Sequence, residues 1–125
     1  RVANLSQPQE WHTKLGRASC QYRNKCVRGC PYGAYYSSLS GAIPAANLTK
    51  RLSMLHDTIV AEILYDEQKQ RATGVRVINQ KTNQVEEYFA KIIFLNAGAM
   101  NTAALMLNSK SQRHPNGIAN RSGIL

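Results

Sequence analysis

Three cysteines, Cys20, Cys26 and Cys30, fall within eleven residues (CQYRNKCVRGC), followed by Pro31-Tyr32-Gly33-Ala34. They are all the cysteines of the 125-residue chain, and an odd count does not close into a disulfide framework. On a loop carrying Gly29, Pro31 and Gly33, three thiolates can wrap one face of an iron–sulfur cube. A cluster lacking one iron needs no fourth cysteine. A four-iron cluster or a zinc site would need another ligand, and His12 is the nearest histidine. Arg17, Arg23, Lys25 and Arg28 surround the thiols and favour the thiolate form that ligates metal. The spacing leaves two simpler arrangements open: three unremarkable thiols, or one disulfide and a free cysteine.

Acid–base candidates are poor. His12, His56 and His114 occupy different contexts and no partner is evident for any of them, so none is assigned a catalytic role. A second constellation is Ala97-Gly98-Ala99, where a glycine lets backbone approach a ligand closely. A tight turn needed only for packing has the same look, and the G-x-G-x-x-G dinucleotide fingerprint is absent.

Sixteen Lys/Arg against seven Asp/Glu give a net charge of +9, which raises nucleic acid or an anionic cofactor as partners. The charges are scattered, however, and no RNA-binding aromatic motif or helix-turn-helix pattern accompanies them, so nucleic-acid binding is not expected. No run of about 18 apolar residues is present, so no membrane span is expected, and no stretch reads as a secretion signal.

The elements that must position these residues follow from pattern. Residues 9–12 after Pro8 suit a short helix, residues 20–33 a loop, and residues 35–46 a helix broken or bent at Gly41 and Pro44. Residues 48–52 suit a short strand. Residues 58–66 (TIVAEILYD), 73–79 (TGVRVIN) and 85–90, joined by polar turns, predict a three-stranded antiparallel meander. Ile92, Ile93, Phe94 and Leu95 form a continuous apolar run, the pattern of a strand buried on both faces. It leads through the small-residue turn into a helix over about 101–107, a strand–turn–helix unit of Rossmann type. Such a strand needs neighbours that this sequence does not supply, so an internal fragment is expected. Two parts are anticipated: 1–47, a cysteine-containing loop region with short helices, and 48–125, with the meander at 58–90, the strand and helix at 91–108, and a tail.

Taken together and in order, residues 20–34 (CQYRNKCVRGCPYGA), 71–77 (RATGVRV), 94–109 (FLNAGAMNTAALMLNS) and 115–123 (PNGIANRSG) resemble glucose–methanol–choline (GMC) oxidoreductases, in particular the flavoprotein subunits of gluconate, fructose and FAD-dependent glucose dehydrogenases. The resemblance runs from about Arg17 to Gly123. It implies an α/β fold of the FAD-binding, Rossmann-like type. It implies that the backbone of Val60 pairs with the adenine of FAD, and that Ala97 and Gly98 lie against the cofactor. In the cluster-bearing branch, cysteines at this spacing ligate a 3Fe–4S cluster, so Cys20, Cys26 and Cys30 are its expected ligands here.

The implied activity is oxidation of a CH–OH group of a sugar, sugar acid or other alcohol, with hydride passing to flavin N5 and a histidine outside this chain taking the hydroxyl proton. Electrons would leave through the cluster to an acceptor such as a cytochrome subunit. Enzymes of this branch are often exported in bacteria; periplasm and cytoplasm both stay open. One departure is Ala103 after Thr102, where many members have Pro or Ser. The phosphate-binding glycine motif and the catalytic histidine are not among these residues, so the chain alone is expected to be inactive. Two competing readings are a family member whose cysteines are purely structural, and a small basic zinc module binding nucleic acid.

Overall fold

The structure, a computed structural model, describes residues 4–124. The part of the expected irregular N-terminal stretch that falls on residues 1–3 lies outside it, as does Leu125. The chain forms two compact units, residues 1–54 and 55–125.

In the first unit, helix α1 (Glu10–Lys14) begins after Pro8, as its sequence predicts. Its entry is closed by His12, whose Nδ1 accepts the Gln9 backbone N–H at 3.0 Å. Backbone bonds knit distant segments: Leu5 N–H to the Ala34 carbonyl at 2.9 Å, Cys20 N–H to Leu5 at 2.8 Å, and Ala18 N–H to Tyr32 at 2.8 Å. Arg17 is buried. Its Nε donates to the Gly33 carbonyl at 2.8 Å and its guanidinium lies 5.7 Å from the centre of the Tyr36 ring. Its charge is thus satisfied by carbonyls and a π face. Helix α2 (Ala42–Leu48) starts later than residues 35–46 suggested. The Ser37 and Ser40 hydroxyls form a turn ahead of it, each accepting the other's backbone N–H. Pro44 sits in the first turn, where the missing N–H costs no helical bond, and therefore does not break the helix. The strand expected at residues 48–52 does not form: Leu48 ends α2, Thr49 N–H closes it on the Ala46 carbonyl, and no strand of the described residues lies alongside.

In the second unit, strands β1 (Thr58–Asp66), β2 (Arg71–Asn79) and β3 (Val85–Phe89) form an antiparallel sheet in the order β1-β2-β3, the meander read from sequence. Both turns use the same device. Asp66 Oδ1 accepts the N–H groups of Gln68 and Lys69 at 3.0 and 2.9 Å, and Asn79 Oδ1 accepts those of Lys81 and Thr82 at 2.9 and 3.2 Å. Register shifts between Val60 and Glu62, where Ala61 is the unpaired extra residue. Helix α3 (Ala99–Asn108) packs against β1, and Ile63, Val77 and Leu105 are the unit's buried apolar residues.

The doubly buried strand expected at residues 92–95 is absent. The segment is irregular, with Ile92 72% and Phe94 80% exposed. A strand of this kind exists only through ladder partners on its two sides, and the described residues provide none. The α/β character therefore appears here as an antiparallel sheet with helices, without the parallel strand.

Candidate functional site

The two constellations lie in different units. Cys20, Cys26 and Cys30 are free thiols, all half-buried, and all three line one small cavity together with Arg23, Lys25 and Tyr32. The loop is irregular apart from a 3-10 turn at Cys26–Arg28. Tyr22 and Asn24 both hold positive φ, at 52° and 55°, and these reversals fold Cys20 back towards Cys26 and Cys30. The Tyr22 backbone N–H donates to Cys20 Sγ at 3.5 Å. The Tyr35 backbone N–H holds the Cys30 thiol below its ordinary pKa. Desolvation opposes it, and the N–H groups of Tyr32, Ala34 and Gly33 add to it. Residues 11–56 carry Lys14, Arg17, Arg23, Lys25, Arg28, Lys50 and Arg51 and no acidic residue, and of these cations Arg23 and Lys25 line the cavity with the thiols. Among the described residues, no three His, Cys, Asp or Glu side chains stand close enough to hold a single metal ion. His12, the nearest histidine in sequence, spends its Nδ1 on capping α1. The loop therefore carries its three free sulfurs on one small cavity with Arg23 and Lys25, but does not bring them to metal-binding distance of one another.

The second site is a groove of about 750 Å³, within the range of small-molecule and cofactor sites. One wall is the edge of β1 at Val60 and the bulged Ala61; another is the segment through Asn96 and Ala97. The third is a face of α3: Asn101, Ala104, Leu105 and Asn108. Val60 and Ala97, 37 residues apart in sequence, thus share one cavity. Gly98 stands beside it as the N-cap of α3, at φ 84° and ψ 161°. A Cβ there would meet nothing within 4 Å, so glycine serves the left-handed turn that starts the helix. The α3 face was not singled out from sequence, although its spacing of three, four and seven residues is a helical signal.

His56 and His114 belong to neither constellation. His114 packs edge-on to Tyr65, with ring centres 4.8 Å apart.

The groove, the small-residue turn and the meander lie together in one unit that combines an antiparallel sheet with a packed helix. The family model described as GMC oxidoreductase matches residues 9–121, nearly the whole chain, and the chain belongs to that family. Among curated proteins it is similar to the fructose dehydrogenase large subunit of Gluconobacter japonicus, at 29% identity over 88% of this chain and 20% of that protein. It is similar to a 6'''-hydroxyparomomycin C oxidase of Streptomyces lividus, at 27% identity over 88% of this chain and 20% of that protein. A 2-methyl-1,2-propanediol dehydrogenase of Mycolicibacterium austroafricanum matches at 36% identity over 44% of this chain and 10% of that protein. The chain spans about a fifth of the length of the relatives that match most of it. None of its described helices is long and apolar enough to cross a membrane.

Proposed function

We propose that the chain is part of the FAD-binding domain of an enzyme that oxidises a CH–OH group of a sugar, sugar acid or other alcohol. The observation that carries this reading is the convergence of Val60 and Ala97 on one groove walled by α3. Family membership and the relatives' names support it, since fructose, 2-methyl-1,2-propanediol and hydroxyparomomycin all bear hydroxyl groups. FAD supplies the hydride acceptor when bound. The residues of this chain contribute binding: the Val60 backbone and Ala97 hold the cofactor, and Gly98 sets the start of α3 beside it. Ala97→Trp, at an exposed position, fills the groove. The full-length protein should release FAD on denaturation, and the variant should carry much less of it with unchanged far-ultraviolet circular dichroism. Equal flavin content in the two proteins refutes the assignment.

We further infer that Cys20, Cys26 and Cys30 hold a 3Fe–4S cluster in the complete protein. Three free thiols on one cavity, with N–H groups directed at Cys20 and Cys30 and cations alongside, support it. Positive charge and N–H groups near the sulfurs stabilise the reduced state and raise its potential. A cluster held by Cys20, Cys26 and Cys30 would supply one-electron transfer to an acceptor. The relative named a large subunit supports a partner subunit in that role, such as a cytochrome. Anaerobically purified full-length protein should contain iron and give the paramagnetic resonance of an oxidised three-iron cluster. Iron-free protein with intact flavin and full activity rejects the relay, and stoichiometric zinc points to a structural site.

A further inference from the structure

We propose that Arg17 is a positioning residue for the Cys30 sulfur: from behind the chain it fixes the peptide units whose N–H groups face that sulfur. Arg17 is buried, with 7% of its surface exposed. Its Nε donates to the Gly33 carbonyl at 2.8 Å, and a terminal nitrogen donates to the Ala34 carbonyl at 3.5 Å. These carbonyls belong to consecutive peptide units. One guanidinium reaches both, so both point to the same side of the chain. The peptide bonds here are trans. In a planar trans unit the N–H points away from the C=O, so the N–H groups of Ala34 and Tyr35 point to the opposite side. That is the side of Cys30. The Tyr35 N–H acts most strongly on its sulfur, and those of Tyr32, Ala34 and Gly33 add to it.

Successive N–H groups converge where a chain turns through a left-handed residue, and such a concavity suits an anion. Gly33, at φ 59°, is that residue. Arg17 packs against it as well: a Cβ at position 33 would lie 3.3 Å from Arg17 Cγ. The turn is tied at two further points. The Ala34 carbonyl accepts the Leu5 N–H at 2.9 Å, and the Tyr32 carbonyl accepts the Ala18 N–H at 2.8 Å. Arg17 is the charged member of this set. A cation on the carbonyl side strengthens the opposite N–H as a donor, because linked hydrogen bonds polarise one another. Holding two carbonyls at once takes a planar fork, and a lysine offers only a point charge. The arrangement stabilises negative charge on the Cys30 sulfur, whether as a free thiolate or as a ligand. The second case rests on the cluster reading above.

The test uses full-length protein freed of iron by a chelator, at neutral pH. Iodoacetamide labelling of the Cys30 peptide is followed by mass spectrometry, with the Cys26 peptide of the same sample as internal standard. Arg17→Met keeps the stem and removes both donors, whereas Arg17→Lys keeps the charge without the fork. Each should lower the ratio of Cys30 to Cys26 labelling rates by about fivefold, because fewer N–H groups then stabilise the reacting thiolate. General loosening of the loop would speed the cysteines together, so a fall in the ratio marks the specific role. An unchanged ratio in Arg17→Met overturns the proposal. A wild-type ratio in Arg17→Lys overturns it too, since charge and not placement would then be what acts. Should neither variant keep the far-ultraviolet circular dichroism of the wild type, Tyr36→Leu decides. It removes the ring that lies 5.7 Å from the guanidinium and should lower the ratio in the same direction; an unchanged ratio overturns the proposal. Iron measured before chelation reports on the cluster separately. Iron-free wild type with a falling ratio in the variants sinks the cluster and keeps the role of Arg17; iron-bearing wild type with an unchanged ratio does the reverse.

Discussion

Ser109 Oγ accepts the Ile63 backbone N–H at 2.8 Å. Ser109 is 1% exposed, and its hydroxyl also donates to the Leu105 carbonyl at 2.6 Å. β1 is an edge strand, so Ile63 would otherwise leave a buried donor unpaired. The hydroxyl thus fastens the last turn of α3 to β1, two residues beyond the bulge at Ala61, and sets the width of the groove. Ser109→Ala strands the Ile63 amide and should destabilise this contact by about 1–3 kcal/mol. Amide hydrogen exchange of the β1 peptide in the full-length protein checks it. Protection equal to wild type would show that the bond contributes little.

Gly117 holds φ 97°, and a Cβ there would lie 2.6 Å from Leu107 Cα and 2.7 Å from the Leu107 and Met106 carbonyl oxygens. These are backbone atoms of α3, so no rotamer change relieves the clash. Next to it, the Ile118 N–H donates to the Met106 carbonyl at 2.9 Å and docks the tail on the helix. Gly117→Ala combines strain with overpacking and should cost about 2–4 kcal/mol, lowering the melting temperature of the protein. Gly98→Ala is the informative contrast. It also has positive φ but open space, so its cost should be near the 1 kcal/mol of backbone strain alone. Equal losses at the two positions would contradict the steric account.

The meander was legible because each strand alternates or is β-branched and each turn begins with an Asx residue, Asp66 or Asn79, that caps its own loop. Those signals are local. The apolar run at residues 92–95 misled for the opposite reason: its meaning depends on ladder partners that no local pattern supplies. The cysteines and the Ala97–Gly98 turn were visible as residue types. Their placement was not, since the meeting of Val60 with Ala97 depends on α3 folding back over β1 through Ser109. The α3 face itself was readable from its 101, 104, 105, 108 spacing, which a short helix starting at Gly98 makes easy to overlook.

Arg76 lies in the middle strand and bridges both edges. It pairs with Glu62 on β1, and its Nε and a terminal nitrogen reach Glu87 Oε1 on β3 at 3.1 and 3.0 Å. Hydrogen bonding to Glu87 first, and the Glu62 charge next, hold its guanidinium more firmly protonated than usual. The side chain is 43% exposed, so solvent screens the network. Arg76→Met, which keeps the apolar stem, should therefore lower stability only slightly in chemical denaturation at low ionic strength. Most of that difference should vanish at about 1 M salt, where the Debye length falls to about 3 Å. A loss that persists unchanged in high salt would mean that packing, not charge, is what Arg76 contributes.

Cys30 offers a test by pH that needs no cluster. Its thiol is held below the ordinary value of 9.0, by the Tyr35 N–H first, against the opposing effect of burial. An acid with a depressed folded pKa loses its proton earlier as pH rises, so the folded protein carries more Cys30 thiolate than the unfolded chain at mildly alkaline pH. Linkage gives the same sign for stability. The contribution grows as pH rises from the folded value towards 9.0, is complete above it, and is lost as pH falls through the folded value. The thiolate is the species that reacts with iodoacetamide. In cluster-free protein, with labelling of the Cys30 peptide followed by mass spectrometry, the folded state should reach half-maximal rate at a lower pH than the same protein in concentrated urea. A folded midpoint at or above the unfolded one would show that the backbone N–H groups do not stabilise the anion, and would remove one of the supports for a ligand role at this sulfur.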